Sequence, residues 1–221
     1  MNQYNILLFD LDGTLSDPKE GITKSVQYAL QKLNVYEPDL DKLECFIGPP
    51  LQISFSEYYG FHEEKTQTAI NLYRERFKEK GMFENVLYPN IPSLLNSLKE
   101  QGYTLVLATS KPTIFAEEIL KYFEIHHYFD CIVGSNLDGT RSSKTEIIQY
   151  ILNTYKGHDS SEFIMIGDRK HDIIGANNSG IDSVGVIYGY GSLEEVKSSK
   201  PTYIADSVEQ LREIIISSKM N

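Results

Sequence analysis

Two aspartates, Asp10 and Asp12, stand one leucine apart at the end of an apolar run in the stretch "NILLFDLDGTLSD". Like charges that close raise each other's free energy and burial raises it further, so the pair is costly unless a cation neutralises it. Other chemistry-bearing residues follow short apolar runs in the same way. "LVLATSKP" runs out into Thr109, Ser110 and Lys111, and "FIMIGDRKHD" into Asp168, with Asp172 one helical turn further on. Lys144 opens the periodic stretch "KTEIIQYILNTY" directly behind a serine. Acids, hydroxyls and lysines, without sulfur and without paired histidines, form a hard-oxygen set that suits Mg2+ rather than zinc or copper. A magnesium ion held by Asp10 and Asp168 would draw phosphate oxygens into the same place.

For these residues to meet, the apolar runs must lie side by side as strands with their carboxyl ends on one edge. Residues 5–10 are apolar without alternation, the pattern of a central strand in a parallel sheet. From about Lys19 to Lys80 the period is helical. Ile22, Val26, Ala29, Leu30 and Leu33 share one face, as do Ala69, Leu72, Tyr73 and Phe77, and "FIGPPLQISFSEYYG" reads as a Gly-Pro turn followed by a helix. After about Tyr88, strand and helix patterns alternate to the end. Ser143–Glu146, Ser192–Glu195 and Ser207–Gln210 have the spacing of a capping box, which marks helix starts.

That alternation predicts an α/β fold: a Rossmann-like parallel sheet covered by helices on both faces. The helical block is then an insertion after the first strand. Residues 1–15 and 87–221 form the core domain, and 16–86 a helical cap, with hinges at about Leu15–Pro18 and Val86–Pro89. In open sheets of this kind ligands bind outside the carboxyl ends of the strands, where the acids and hydroxyls lie.

The bulk properties narrow the field. The chain has 221 residues and a formal net charge of -10, which argues against nucleic acid because phosphate neutralisation needs clustered cations. Cys45 and Cys131 are far apart and show no zinc spacing, so they read as reduced, small hydrophobes. No apolar run has the length of a membrane span or the basic flank of a targeting segment, which makes the cytoplasm the expected location. No GxGxxG follows any strand, which removes the dinucleotide-binding enzymes.

"DLDGT", the strand-end Thr109, Lys144 and "GDRKHD", in that order and spacing, resemble the four motifs of the haloacid dehalogenase superfamily. The helical insertion resembles that superfamily's cap of the first type. "FIGPPL", "GSNLDGTRSSK" and "GVIYGYGS" resemble its phosphoglycolate-phosphatase and nucleotidase-like branch. The resemblance implies a Mg2+-dependent phosphatase acting on a small phosphorylated metabolite. Asp10 would be the nucleophile that forms an aspartyl-phosphate. Asp12 would be the acid and then the base. Thr109 and Ser110 would bind phosphoryl oxygens, and Gly13 would let the backbone approach them closely. Lys144 would balance the nucleophile and the phosphate. It sits where a helix dipole disfavours a cation, and a local rule broken without visible gain points to function. The ion would rest on Asp10, Asp12 and Asp168, with Asp172 holding a water of that ion or orienting Lys144. Arg141 is a candidate contact to the substrate's anionic tail.

Plainer readings stand beside these. Thr109 is also placed to cap the helix that starts after Pro112. An acid in a first turn such as Asp172 needs no further reason. Arg141 is also what a surface arginine looks like. A sugar phosphomutase would use the same acids, and a non-catalytic receiver-like phospho-switch would gather acids, a hydroxyl and a lysine around Mg2+ without an inserted cap. Substrate and oligomeric state are not written in the motifs.

Overall fold

A computed structural model describes residues 4–219. The chain divides into two compact units: residues up to Ser16 together with those from Leu87 onward, and Asp17–Val86 between them.

The first unit is built on a six-stranded sheet. Its strands are β1 (Ile6–Phe9), β4 (Thr104–Pro112), β5 (Cys131–Ser135), β6 (Phe163–Gly167), β7 (Asp182–Val186) and β8 (Tyr203–Ala205). The short strands β2 (Ser16–Asp17) and β3 (Val86–Leu87) pair with each other where the chain crosses between units. The sheet order is β5-β4-β1-β6-β7-β8, and every pairing in it is parallel. All four residues of β1 are buried, as a strand flanked on both edges and covered on both faces requires. Ile6, Leu8, Val106, Ala108, Phe163 and Met165 pack on one face against Ile147, Ile148, Ile151 and Ala176 of α6 (Lys144–Thr154) and α7 (Lys170–Ser179). The remaining helices of this unit are α4 (Ile91–Glu100), α5 (Thr113–Tyr122), α8 (Leu193–Ser198) and α9 (Val208–Lys219). The α/β class and parallel sheet are those the strand–helix alternation predicts.

Strand order reverses at β1. The chain leaves β1 for β4 on one side and returns, after β5, to β6 on the other. Loops on the two sides of such a switch point diverge and leave a crevice at the carboxyl ends. Register sets what lines it. Phe9 is level with both Leu107 and Ile166, so Asp10 emerges beside Ala108 and Gly167, with Thr109 and Asp168 one residue beyond.

The second unit contains only helices and turns apart from its ends: α1 (Lys19–Lys32), a 3-10 turn at Asp41–Phe46, α2 (Leu51–Tyr59), α3 (Glu63–Arg76) and a π-turn at Phe77–Gly81. Its core gathers Ile22, Val26, Ala29, Leu30, Leu43, Phe46, Phe55, Ala69, Ile70, Tyr73 and Phe77, all at 6% exposure or less. No helix among the described residues is long and apolar enough to cross a membrane.

Candidate active site

The carboxyl ends of β1 and β6 and the starts of α6 and α7 bring three acids together. Asp10, Asp168 and Asp172 are buried, and each offers a carboxylate oxygen within 4.8 Å of the others. One lysine serves the group. Lys144 Nζ lies 2.7 Å from Asp10 Oδ1 and 2.7 Å from Asp172 Oδ1, and donates to the Ala108 carbonyl oxygen at 2.7 Å. Its placement is local in origin. Ser143 and Glu146 close a full capping box, which starts α6 at Lys144 and turns the side chain inward. Burial alone would lower the Lys144 pKa, but Asp10 and Asp172 more than offset it and the net shift is upward.

Each carboxylate is held by backbone donors. Leu11 N–H donates to Asp10 Oδ1 at 2.8 Å, Arg169 N–H to Asp172 Oδ2 at 3.0 Å, and Tyr190 N–H to Asp168 Oδ2 at 2.7 Å. Asp168 Oδ1 is buried and has no hydrogen-bond partner. Burial, then the charges of Asp172 and Asp10, pushes the Asp168 carboxyl well above the usual carboxylate range. Asp172 is pushed up to about 6, first by burial and then by Asp10, against the pull of Lys144. When all three are ionised, three carboxylates against one ammonium leave two negative charges in excess. An orphaned oxygen, a hard donor set and that excess together fit one divalent cation.

Asp12 stands apart from this group. Its Oδ1 and Oδ2 lie 3.0 Å and 2.7 Å from Lys111 Nζ, and both side chains are at least nine-tenths buried. Burial pushes the Asp12 carboxyl up and Lys111 works against that shift. Asp12, expected at the metal with Asp10 and Asp168, has its carboxylate on Lys111, while the carboxylates that lie within reach of one another are those of Asp10, Asp168 and Asp172. Lys111 Nζ therefore belongs to the site although its motif role was not anticipated.

Thr109 is 1% exposed, and its hydroxyl oxygen accepts the Lys111 N–H at 3.3 Å. Ser110 follows it, half-buried. Gly13 has φ +80°, a left-handed conformation, and a Cβ there would stand 2.1 Å from Asp168 Oδ2. Gly13 thus lets the first loop close onto the carboxylate of β6. Residues 188–191 do the same from the other side. A Cβ at Gly189 would stand 2.2 Å from the Gly13 carbonyl oxygen and 2.6 Å from Asp168 Oδ2, and Tyr188 Oη donates to Thr14 O at 3.0 Å. This loop fixes Asp168, a role its "YGYG" composition does not reveal. Arg141 is not brought to the carboxylates. Its Nε donates to the Gly134 carbonyl at 3.0 Å, its Nη2 to Asn136 Oδ1 at 3.2 Å, and its guanidinium lies 4.5 Å from the Tyr150 ring centre.

Comparison with known proteins shows the family. Residues 7–186 match the model of the family described as haloacid dehalogenase-like hydrolase. A Pseudomonas aeruginosa protein named 5'-nucleotidase is 47% identical over 96% of this chain and 96% of its own. The Mycobacterium tuberculosis protein named tyrosine-protein kinase PtkA is 34% identical over 95% of this chain and 72% of its own. A crystal structure described as a predicted phosphatase from Clostridium acetobutylicum is 51% identical, covers 97% of this chain and 99% of its own, and superposes with a TM-score of 0.94.

Proposed function

The chain belongs to the haloacid dehalogenase-like hydrolase family and is a phosphatase, and from that premise we propose that it is a magnesium-dependent phosphomonoesterase working through a phosphorylated Asp10. The observation that carries the reading is the buried trio Asp10, Asp168 and Asp172 with one shared lysine and one orphaned oxygen. Asp10, Asp168 and Asp172 would hold the ion, which supplies positive charge to the phosphoryl oxygens when bound.

The chain's own residues supply the rest. Asp10 Oδ1 is engaged by Leu11 N–H and Lys144, which leaves Oδ2 as the attacking atom. A bond forms from Oδ2 to phosphorus as the bond from phosphorus to the ester oxygen breaks, and Asp12 gives its proton to that oxygen. Water then attacks the aspartyl-phosphate. Asp12 takes the water's proton, phosphate departs, and the Asp10 carboxylate is restored. Thr109, Ser110 and the Gly13 backbone bind phosphoryl oxygens, and Lys144 offsets their charge.

Nucleoside 5'-monophosphates are the leading substrate class, because the relative with 47% identity is named 5'-nucleotidase. The kinase-named relative supports a second reading, phosphoryl transfer from a nucleotide to tyrosine, by the same acids. One screen separates them: phosphate release from nucleoside monophosphates, phosphoglycolate and sugar phosphates, with magnesium and with EDTA, beside transfer from ATP to a tyrosine peptide. Magnesium-dependent release from monophosphates supports the reading. Transfer to tyrosine without release from any ester refutes it.

A further inference from the structure

Four buried acids share the carboxyl edge, and two lysines divide them. Lys144 takes Asp10 and Asp172, while Lys111 meets both oxygens of Asp12, at 3.0 Å and 2.7 Å. No other hydrogen bond reaches the Asp12 carboxylate among the described residues. The first acid is fixed by a backbone N–H and a lysine, but the second depends on one ammonium.

We propose that Lys111 is the positioning residue of Asp12, holding its carboxylate apart from the three-acid group and aimed at the departing ester oxygen. The inference rests on the reading of Asp12 as the acid of the first step. Lys111 sits at the same strand end as Thr109, and its own N–H donates to the Thr109 hydroxyl oxygen at 3.3 Å. One residue therefore sets the spacing between a phosphoryl-binding hydroxyl and the proton donor. An acid displaced by an ångström loses most of its value, because proton transfer needs hydrogen-bond reach in the transition state.

Leaving-group chemistry provides a test that a general loss of structure would not imitate. A nucleoside monophosphate expels an alkoxide and needs the proton. p-Nitrophenyl phosphate expels a stabilised phenolate and does not. The ratio kcat/KM covers steps up to departure of the leaving group, so later hydrolysis of the phosphoenzyme does not enter it. Lys111→Gln and Lys111→Arg are compared with the wild type and with Asp12→Asn, on both esters, with melting curves and magnesium binding recorded for each protein.

For Lys111→Gln, kcat/KM should fall about 10- to 100-fold on the nucleoside monophosphate, a part of the 10²–10⁴-fold worth of an acid–base group, and less than about threefold on the aryl ester. Asp12→Asn should show the same selectivity in larger degree, and Lys111→Arg should recover part of the loss. Equal losses on both esters, or none, with Asp12→Asn still selective, would overturn the role of Lys111 and leave that of Asp12 standing. Asp12→Asn without selectivity would remove the acid itself and the inference with it. If Lys111→Gln does not fold, Lys111→Arg decides: a changed ester ratio supports the proposal and an unchanged one refutes it.

Discussion

Lys144→Met isolates the electrostatic logic of the site. The methionine nearly conserves the stem and removes the charge from a side chain that is 3% exposed and touches two carboxylates at 2.7 Å. It also leaves the buried Ala108 carbonyl without the lysine's hydrogen bond. Removing one partner of a buried ion pair costs about 3–5 kcal/mol, because the other charge stays buried. For a chain of this size about 2–4 °C of melting temperature accompanies each kcal/mol, which gives a fall of about 6–20 °C. The loss should be full in EDTA and smaller in magnesium, since the variant lacks the cation that competes with the ion and each tenfold gain in its affinity over wild type returns about 1.4 kcal/mol. Urea and thermal unfolding of both proteins, with EDTA and with magnesium, measure these quantities. A variant within about 1 kcal/mol of wild type in EDTA would refute the reasoning, since a single-surface-pair magnitude means the acids do not depend on this lysine.

Two other perturbations follow from the same geometry. Gly189→Ala pushes a methyl group to 2.2 Å from the Gly13 carbonyl and 2.6 Å from Asp168 Oδ2, so it should weaken magnesium binding, read by calorimetry, by more than about tenfold while Gly157→Ala, with open space around it, leaves binding unchanged. Magnesium stabilisation should also depend on pH with a definite sign. Asp172 is pushed up to about 6, so below about pH 6 it holds a proton that a cation must displace, and the Asp168 carboxyl is pushed in the same direction. The rise in melting temperature on adding magnesium should therefore be larger at pH 7.5 than at pH 5.5, and an equal rise at both would contradict it.

What was legible in the sequence depended on how the side chains are positioned. Asp10, Thr109 and Asp168 follow apolar runs, and in a parallel sheet that alone sends them to a common edge. Lys144 was legible because the Ser143–Glu146 box fixes where α6 starts. That the Asp172 carboxylate lies with those of Asp10 and Asp168 while the Asp12 carboxylate lies on Lys111 was not legible, because which carboxylate turns toward the group depends on which lysine reaches it, a matter of three-dimensional reach across β4, α6 and α7. The same holds for Lys111, whose partner is 99 residues away. The loop 188–191 acts through backbone atoms, which composition does not encode. Arg141 carried a charge suited to anions, but the backbone at φ +51° and the acceptors Gly134 O and Asn136 Oδ1 keep it within its own loop.

The most direct measurement is rapid acid quench of the enzyme with magnesium and a nucleoside monophosphate labelled in its phosphate, followed by mass mapping. The account predicts a transient, hydroxylamine-sensitive phosphoryl group on the peptide carrying Asp10, formed before phosphate is released and missing in Asp10→Asn. Phosphate released in the first turnover from a protein that never carries the label on Asp10 would contradict it.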